Sequence, residues 1–394
     1  MDSKASVRLA IGGFLAMAAA MGIGRFVYTP ILPVMIKALD WSKVDAGLVA
    51  SANFLGYLIG ALLVGRRVFA ANSRRWLIVA LAISSLTTGA MATSEAPYVL
   101  MAIRFVSGIA SAFMIVCSSA LVLERLSAVG HGHLVSIHFA GVGGGIVISA
   151  VIVAMLTASN AGWQMMWLVT ALVASLMSLI VIALIPAGSP SPPSMRSALG
   201  GHDRTGLSGI AIAHGLFGFG YVITATFLVT LVRESPEIRP LEPWIWVIAG
   251  LAAVPSVPLW QWLGRRAGLL NAYAIACLVE AVGVAASVAW TSITGVCVSA
   301  ILFGGTFMGL TALGVMGARE FYPGRPQWSI GITTASFGFG QMIGPTVAGI
   351  LSEQTGSLEV ATLLAAGALV LAAVLAFSTT RTVARVADLD RSRF

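Results

Sequence analysis

The 394-residue chain is 58% hydrophobic and only 10% charged, with a mean hydropathy of +0.94. Soluble domains carry about a quarter charged residues, so a water-solvated globule is excluded and lipid is the expected solvent. The net charge of +8 does not point to nucleic acid, because lysine occurs three times (Lys4, Lys37, Lys43) and the arginines fall in short clusters between apolar runs.

A helix needs about 20 mostly apolar residues to cross the hydrocarbon core. In chain order such stretches lie near 9–36, 44–65, 76–94, 97–123, 133–157, 162–185, 206–232, 243–263, 268–290, 294–318, 328–350 and 358–379, twelve in all. Lys4 and Arg8 ahead of the first mimic a secretory signal. The run continues through Arg25 to Met35, too long for a signal segment, and reads as a retained membrane helix. Ser42 and Asp45 at the start of the second span have capping-box spacing. After the sixth, "IPAGSPSPPSMRSALGGHDR" is rich in Pro, Gly and Ser and reads as an extended linker. The expected fold is an all-α membrane protein of two six-helix bundles, 1–186 and 205–394. A cytoplasmic linker over 187–204 joins them, and the second bundle ends in a short cytoplasmic tail.

Orientation follows from the basic residues. With the N-terminus in the cytoplasm, 17 of them lie on the cytoplasmic side and 4 (Lys37, Lys43, Arg233, Arg239) outside, with Arg25 and Arg104 inside the membrane. The positive-inside rule therefore expects both termini in the cytoplasm. All ten tryptophans fall at or near predicted helix ends, where an aromatic belt belongs. Cys117, Cys277 and Cys297 are widely spaced in apolar spans, with no spacing that suggests a disulfide framework or a metal site.

The two halves resemble one another. "GIGRFVYTPILPVM" (22–35) aligns with "GFGYVITATFLVTL" (218–231), "VGRR" (64–67) with "LGRR" (263–266), and "HFAGVGGGIVIS" (138–149) with "SFGFGQMIGPTV" (336–347), at offsets of 196, 199 and 198. Two six-helix repeats around a midplane site form a transporter design.

Within such a bundle the polar residues carry the information. Arg25 sits midway along the first span and Arg104 in the fourth, at comparable depth. An arginine at a helix centre costs about 2.5–3.5 kcal/mol on insertion scales and faces a bundle interior or a wet cavity. Glu280 is the only carboxylate deep in a span and cannot neutralise both. Either an arginine receives an anionic solute that reaches it through water, or both bond to backbone carbonyls as packing groups. Tyr28, one turn from Arg25, Tyr221 at the equivalent position of the second half, Asn53 and Gln341 complete the substrate-binding candidates. Each of these equally suits an interhelical hydrogen bond. Gly22, Gly24, Gly218 and Gly220 permit close approach or unwinding, and Pro30 and Pro33 are expected to bend the first span.

Arg104, Glu280, His138 and His214 are the candidates for proton coupling. Glu280 has a second reading as a packing residue, neutral where it faces lipid. Glu124–Arg125 and Arg319–Glu320 end the fourth and tenth spans in reversed charge order. With Arg66, Arg67, Arg265 and Arg266 they suggest a cytoplasmic gate, or else solvated helix ends. No P-loop lysine, HExxH or GxSxG is present, and "GVGGG" (141–145) has no strand before it, so no cofactor, metal or catalytic set is expected.

Twelve spans in two halves, with "GRR" closing spans two and eight, resemble the major facilitator superfamily along the whole chain. "GIGRFVYTPILPVM", "ANFLGYLIGALL" and "RFVSGIASAFMIV" resemble its YbfB/YjiJ-type bacterial transporters. "LMAIRFVSGIASA" (100–112) is similar to the superfamily's fourth-helix motif, and that resemblance associates Arg104 with proton coupling. The acidic position of the loop signature falls on Leu62 and Gln261, which removes the usual charge latch between halves. An antiporter-like "GQMIGPTVAG" (340–349) stands in span eleven instead of five. What the resemblance implies is a monomeric secondary transporter of the bacterial inner membrane. It would move a small organic anion by alternating access, with protons or another ion as the drive. Efflux of amphiphilic compounds is the alternative, followed by a transporter-like sensor or an intramembrane enzyme.

Overall fold

A computed structural model describes residues 3–64, 72–186, 204–321 and 326–391. Every predicted span is a helix there. The first, α1, is broken into Ser3–Met17 (α1a) and Tyr28–Leu39 (α1b). Then come α2 (Lys43–Val64), α3 (Ser73–Ala90), α4 (Pro97–Ala128), α5 (Val135–Ala158), α6 (Trp163–Leu184) and α7 (Arg204–Glu234). After these, α8 is bent by 42° between Glu242–Ala253 and Ser256–Ala267. The chain ends with α9 (Leu269–Ala289), α10 (Ile293–Phe321), α11 (Pro326–Thr355) and α12 (Glu359–Arg391).

Sequence patterns explain the helix ends. Ser42 and Asp45 form the expected capping box: the Asp45 amide donates to Ser42 Oγ at 3.0 Å and the Ser42 amide to Asp45 Oδ2 at 3.2 Å. Pro97 opens α4 and Pro243 the first segment of α8, where the missing N–H costs nothing.

Three pairs of helices join the two groups: α2 with α11, α5 with α8, and α1b with α7. The first two are related by the internal repeat, so the seam carries the same pseudo-symmetry as the sequence. Small residues make it tight. A side chain at Gly143 would meet the Gly250 carbonyl at 2.6 Å, and one at Gly47 would overlap the Pro345 carbonyl.

The polar cross-links of this seam gather at the end of the bundle opposite the termini. Lys43 pairs with Glu234 at 2.8 Å, and the Val44 amide donates to Glu353 Oε1 at 3.1 Å. Ser51 and Thr346 share a hydrogen bond of 2.8 Å, and Thr29 donates to the Ala225 carbonyl.

Two expectations need correction. Trp244, Trp262, Trp290 and Trp328 are exposed as a belt requires, but Trp167 and Trp246 are fully buried. Trp167 donates to the Met35 sulfur, and Trp246 stacks on Phe303. The break in α1 also precedes Pro30 and Pro33, which instead lie within α1b.

Candidate functional site

The site begins with that break. Ala18–Ile23 form a π-helix, with the Gly24 amide donating to Ala19 O at 2.9 Å and the Phe26 amide to Met21 O at 3.2 Å. The Gly22 backbone lies directly against that of Gly145 on α5, so neither position has room for a side chain. Past the π segment the Thr29 amide bonds to Phe26 O, leaving the Arg25 carbonyl outside the helical ladder.

Arg104 takes up the released carbonyls. Its Nη1 donates to Gly24 O at 2.9 Å and its Nη2 to Arg25 O at 3.0 Å. The Tyr28 ring lies 5.2 Å from its Cζ, and the Tyr28 hydroxyl is committed to Ala46 O at 2.9 Å. Asn53 Nδ2 donates to the Arg104 carbonyl at 2.9 Å, which ties α2 to α4 at this level. Of the two readings open for Arg104, the geometry matches the backbone-bonding one. The residue braces the first helix where it unwinds.

Arg25 is different. Its guanidinium lies close to the rings of Phe54 (4.6 Å) and Tyr57 (4.4 Å), with Phe26 at 5.7 Å. Although only 4% exposed, its Nε and Nη2 have no hydrogen-bond partner among the described residues. Those two nitrogens form one edge of the guanidinium plane, the edge that grips a carboxylate with two parallel hydrogen bonds. In this conformation neither guanidinium is open to solvent, since Arg104 is 3% exposed.

The facing surface belongs to the second half. Gln341 on α11 donates from Nε2 to the Tyr221 hydroxyl, and Gln341 Oε1 is buried without a partner. Tyr221 lies within electrostatic reach of Arg25. Its ring is nearly parallel to Phe307 (6.0 Å, 4°) and to Phe337 (5.7 Å, 6°). Phe26 reaches across from α1 to Phe307 (5.8 Å) and Trp246 (6.4 Å).

Of the six substrate-binding candidates, Arg25, Tyr221 and Gln341 converge on this seam, while Arg104, Tyr28 and Asn53 form the brace behind it. Sequence reasoning missed the rings. The signal was present, because Phe54 and Tyr57 are three residues apart and share a face of α2.

The other titratable candidates stand apart. Glu280 does not face lipid; it is fully buried where α9 packs on α10 and α12, and neither carboxylate oxygen has a hydrogen-bond partner. His214 Nδ1 is 3.1 Å from the Tyr273 hydroxyl and stacks on Phe337 at 4.7 Å. His138 Nε2 pairs with Ser119 at 3.3 Å within the first bundle.

At the termini end, Glu124, Arg265, Arg319 and Glu320 are exposed. Arg125 donates to Pro186 O at 3.2 Å, and Arg266 lies 4.3 Å over Trp262. Arg66 and Arg67 lie outside the described residues. The ion pairs Lys43–Glu234 and Arg233–Glu242 both sit at the opposite end. Among the described residues no group of His, Cys, Asp and Glu could hold a metal ion.

Comparison with known proteins agrees with this architecture. Nucleoside transporter NupG superposes with a TM-score of 0.72 at 16% identity, covering 96% of this chain and 99% of that one. A bacterial homolog of the human lysosomal transporter Spinster gives 0.72 at 13% identity, covering 97% and 98%. In sequence, a gentisate transporter of Corynebacterium glutamicum is 22% identical over 350 residues, 84% of this chain and 78% of the relative. The fold, together with a family model that matches most of the chain, makes this a membrane transporter of the major facilitator superfamily. Within it the chain belongs to the family described as uncharacterised MFS-type transporter YbfB, whose model matches residues 17–377.

Proposed function

We propose that this transporter moves a small organic carboxylate across the bacterial inner membrane, with both termini cytoplasmic. The free edge of Arg25 carries the reading: a permanent charge, buried, with two aligned donors that the protein itself leaves unused. A buried charge without acceptors is costly, and a carboxylate on that edge supplies them. The gentisate transporter among the relatives carries a carboxylate, in keeping with this chemistry.

The halves 1–186 and 205–394, joined by 187–204, would rock as units about Arg25 in a monomer. The cross-linked seam is then the closed outer side, and with neither guanidinium open to solvent the central site is occluded. Outward opening would part Lys43 from Glu234 and bring the charged cytoplasmic ends of α4 and α10 together, with Arg66, Arg67, Arg265 and Arg266 near the closing surface.

Glu280 is the group we assign to a coupled proton, because its buried carboxyl has no hydrogen-bond partner among the described residues. Its titratable neighbours are Tyr273 and Cys277 on its own helix and Tyr221 on α7; α10 presents the hydroxyl of Thr306. The test is counterflow in proteoliposomes with a panel of carboxylates and their neutral amides. Carboxylates are expected to exchange, and exchange to vanish in Arg25→Gln. Exchange of amides as fast as acids would overturn the reading.

A further inference from the structure

We propose that the transported solute is a planar aromatic monocarboxylate bearing a hydroxyl group. This rests on Arg25 as the carboxylate clamp and adds what the surrounding groups require of the rest of the ligand.

Charge sets the number of acid groups. Arg25 offers a single unpartnered edge, and two nitrogens match the two oxygens of one carboxylate. The paired donors Nη1 and Nη2 of Arg104 are already on backbone carbonyls, and no lysine lies at this depth. Only Nε of Arg104 is left without a partner among the described residues, so a second carboxylate finds no paired donor edge there and would be buried with its oxygens poorly satisfied.

The rings set the shape. Phe54 and Tyr57 both lie within 5 Å of the Arg25 guanidinium, so the clamp is lined by rings on the first half. Across the seam stand Phe307, Tyr221 and Phe337, parallel to within a few degrees, with Phe303 at 12° to Phe307. Phe26 closes the seam edge-on against Phe307 at 72°. A flat ring held at the clamp gains stacking or edge contacts with such walls, and a puckered ring of equal carbon number gains less.

One amide sets the substituent. Gln341 uses one end on Tyr221, and its other end is fully buried and unpaired. Turning the amide over only exchanges the unpaired acceptor for an unpaired donor. A hydroxyl both donates and accepts, so it satisfies either arrangement. An unsubstituted hydrocarbon ring would leave the Gln341 amide unsatisfied.

Calorimetric titration of the purified full-length protein with 3- and 4-hydroxybenzoate, benzoate, cyclohexanecarboxylate, heptanoate, phthalate and benzamide tests the proposal. At least one hydroxybenzoate is expected to bind about fivefold tighter than benzoate. Benzoate should bind about fivefold tighter than cyclohexanecarboxylate or heptanoate, and phthalate more weakly than benzoate. In Gln341→Leu the advantage of the hydroxyl should disappear.

Cyclohexanecarboxylate or heptanoate equal to benzoate overturns the planar ring and leaves the clamp standing. A hydroxyl with no advantage in the wild-type protein, or an advantage that survives in Gln341→Leu, overturns the hydroxyl. Benzamide equal to benzoate, with benzoate affinity unchanged in Arg25→Gln, removes the clamp and the proposal with it. So does an absence of binding by every acid.

Discussion

α1 and α7 are counterparts in the internal repeat, and each carries two glycines one residue apart, Gly22 and Gly24 in one and Gly218 and Gly220 in the other. Yet α1 unwinds between Ala18 and Tyr28, while α7 runs unbroken from Arg204 to Glu234. Glycine is therefore permissive and not sufficient. The difference lies one helix layer away. Arg104 holds the Gly24 and Arg25 carbonyls, whereas an offset of 196 to 199 places its counterpart among Ala300, Ile301, Leu302 and Phe303, none of which can donate. One half has become the charged partner and the other a neutral aromatic wall, on a common scaffold.

The largest effect is expected from erasing that difference at its centre. Arg25→Gln makes α1 as neutral as α7, and carboxylate affinity should fall about thirtyfold or more, since breaking a buried charge pair costs about 2–5 kcal/mol. Arg25→Lys should recover little of it, because an ammonium has no fork. Calorimetric titration reads both.

Next comes Arg104→Leu, which copies the second half. The carbonyls of Gly24 and Arg25 lose their donors, the helix is free to rewind, and Arg25 turns from its cage. Affinity should fall about tenfold and Tm by several degrees, since hydrogen bonds to a charged group contribute about 1.5–3 kcal/mol each. Unchanged affinity would mean that the brace does not set the clamp.

Glu280→Gln sharpens the contrast from the other side by removing the second half's buried acid. Accumulation driven by a pH gradient should be lost, because a glutamine carries no titratable proton, while counterflow persists in the same vesicles. The smallest effect belongs to the seam. Lys43→Ala should raise the labelling rate of Ser51→Cys by an impermeant maleimide about two- to fivefold, since exposed ion pairs contribute at most about 1 kcal/mol. The exchange Lys43→Glu with Glu234→Lys should restore it.

The twelve helices, the repeat and the cap at Ser42 were legible because each rests on local pattern: run length, offset and turn residues. The depth of Arg25 and Arg104 was legible for the same reason. Their separate roles were not. Which arginine meets carbonyls and which lies among rings with donors to spare depends on the rotation of α1 about its axis, and a π-helix changes that rotation without any marker in composition. Which of its two readings Glu280 follows was not legible on similar grounds, since the face that α9 turns inward depends on how α10 and α12 pack against it.

That π-helix makes chain length part of the site. Six residues, Ala18–Ile23, occupy a stretch wound more loosely than its neighbours. Each residue of a regular helix advances the thread by about 100°. Removing a single alanine here would leave every side chain intact and aim Arg25 at a different neighbour. Among diverging sequences, this stretch should accept exchanges of small residues far more readily than it accepts a gap.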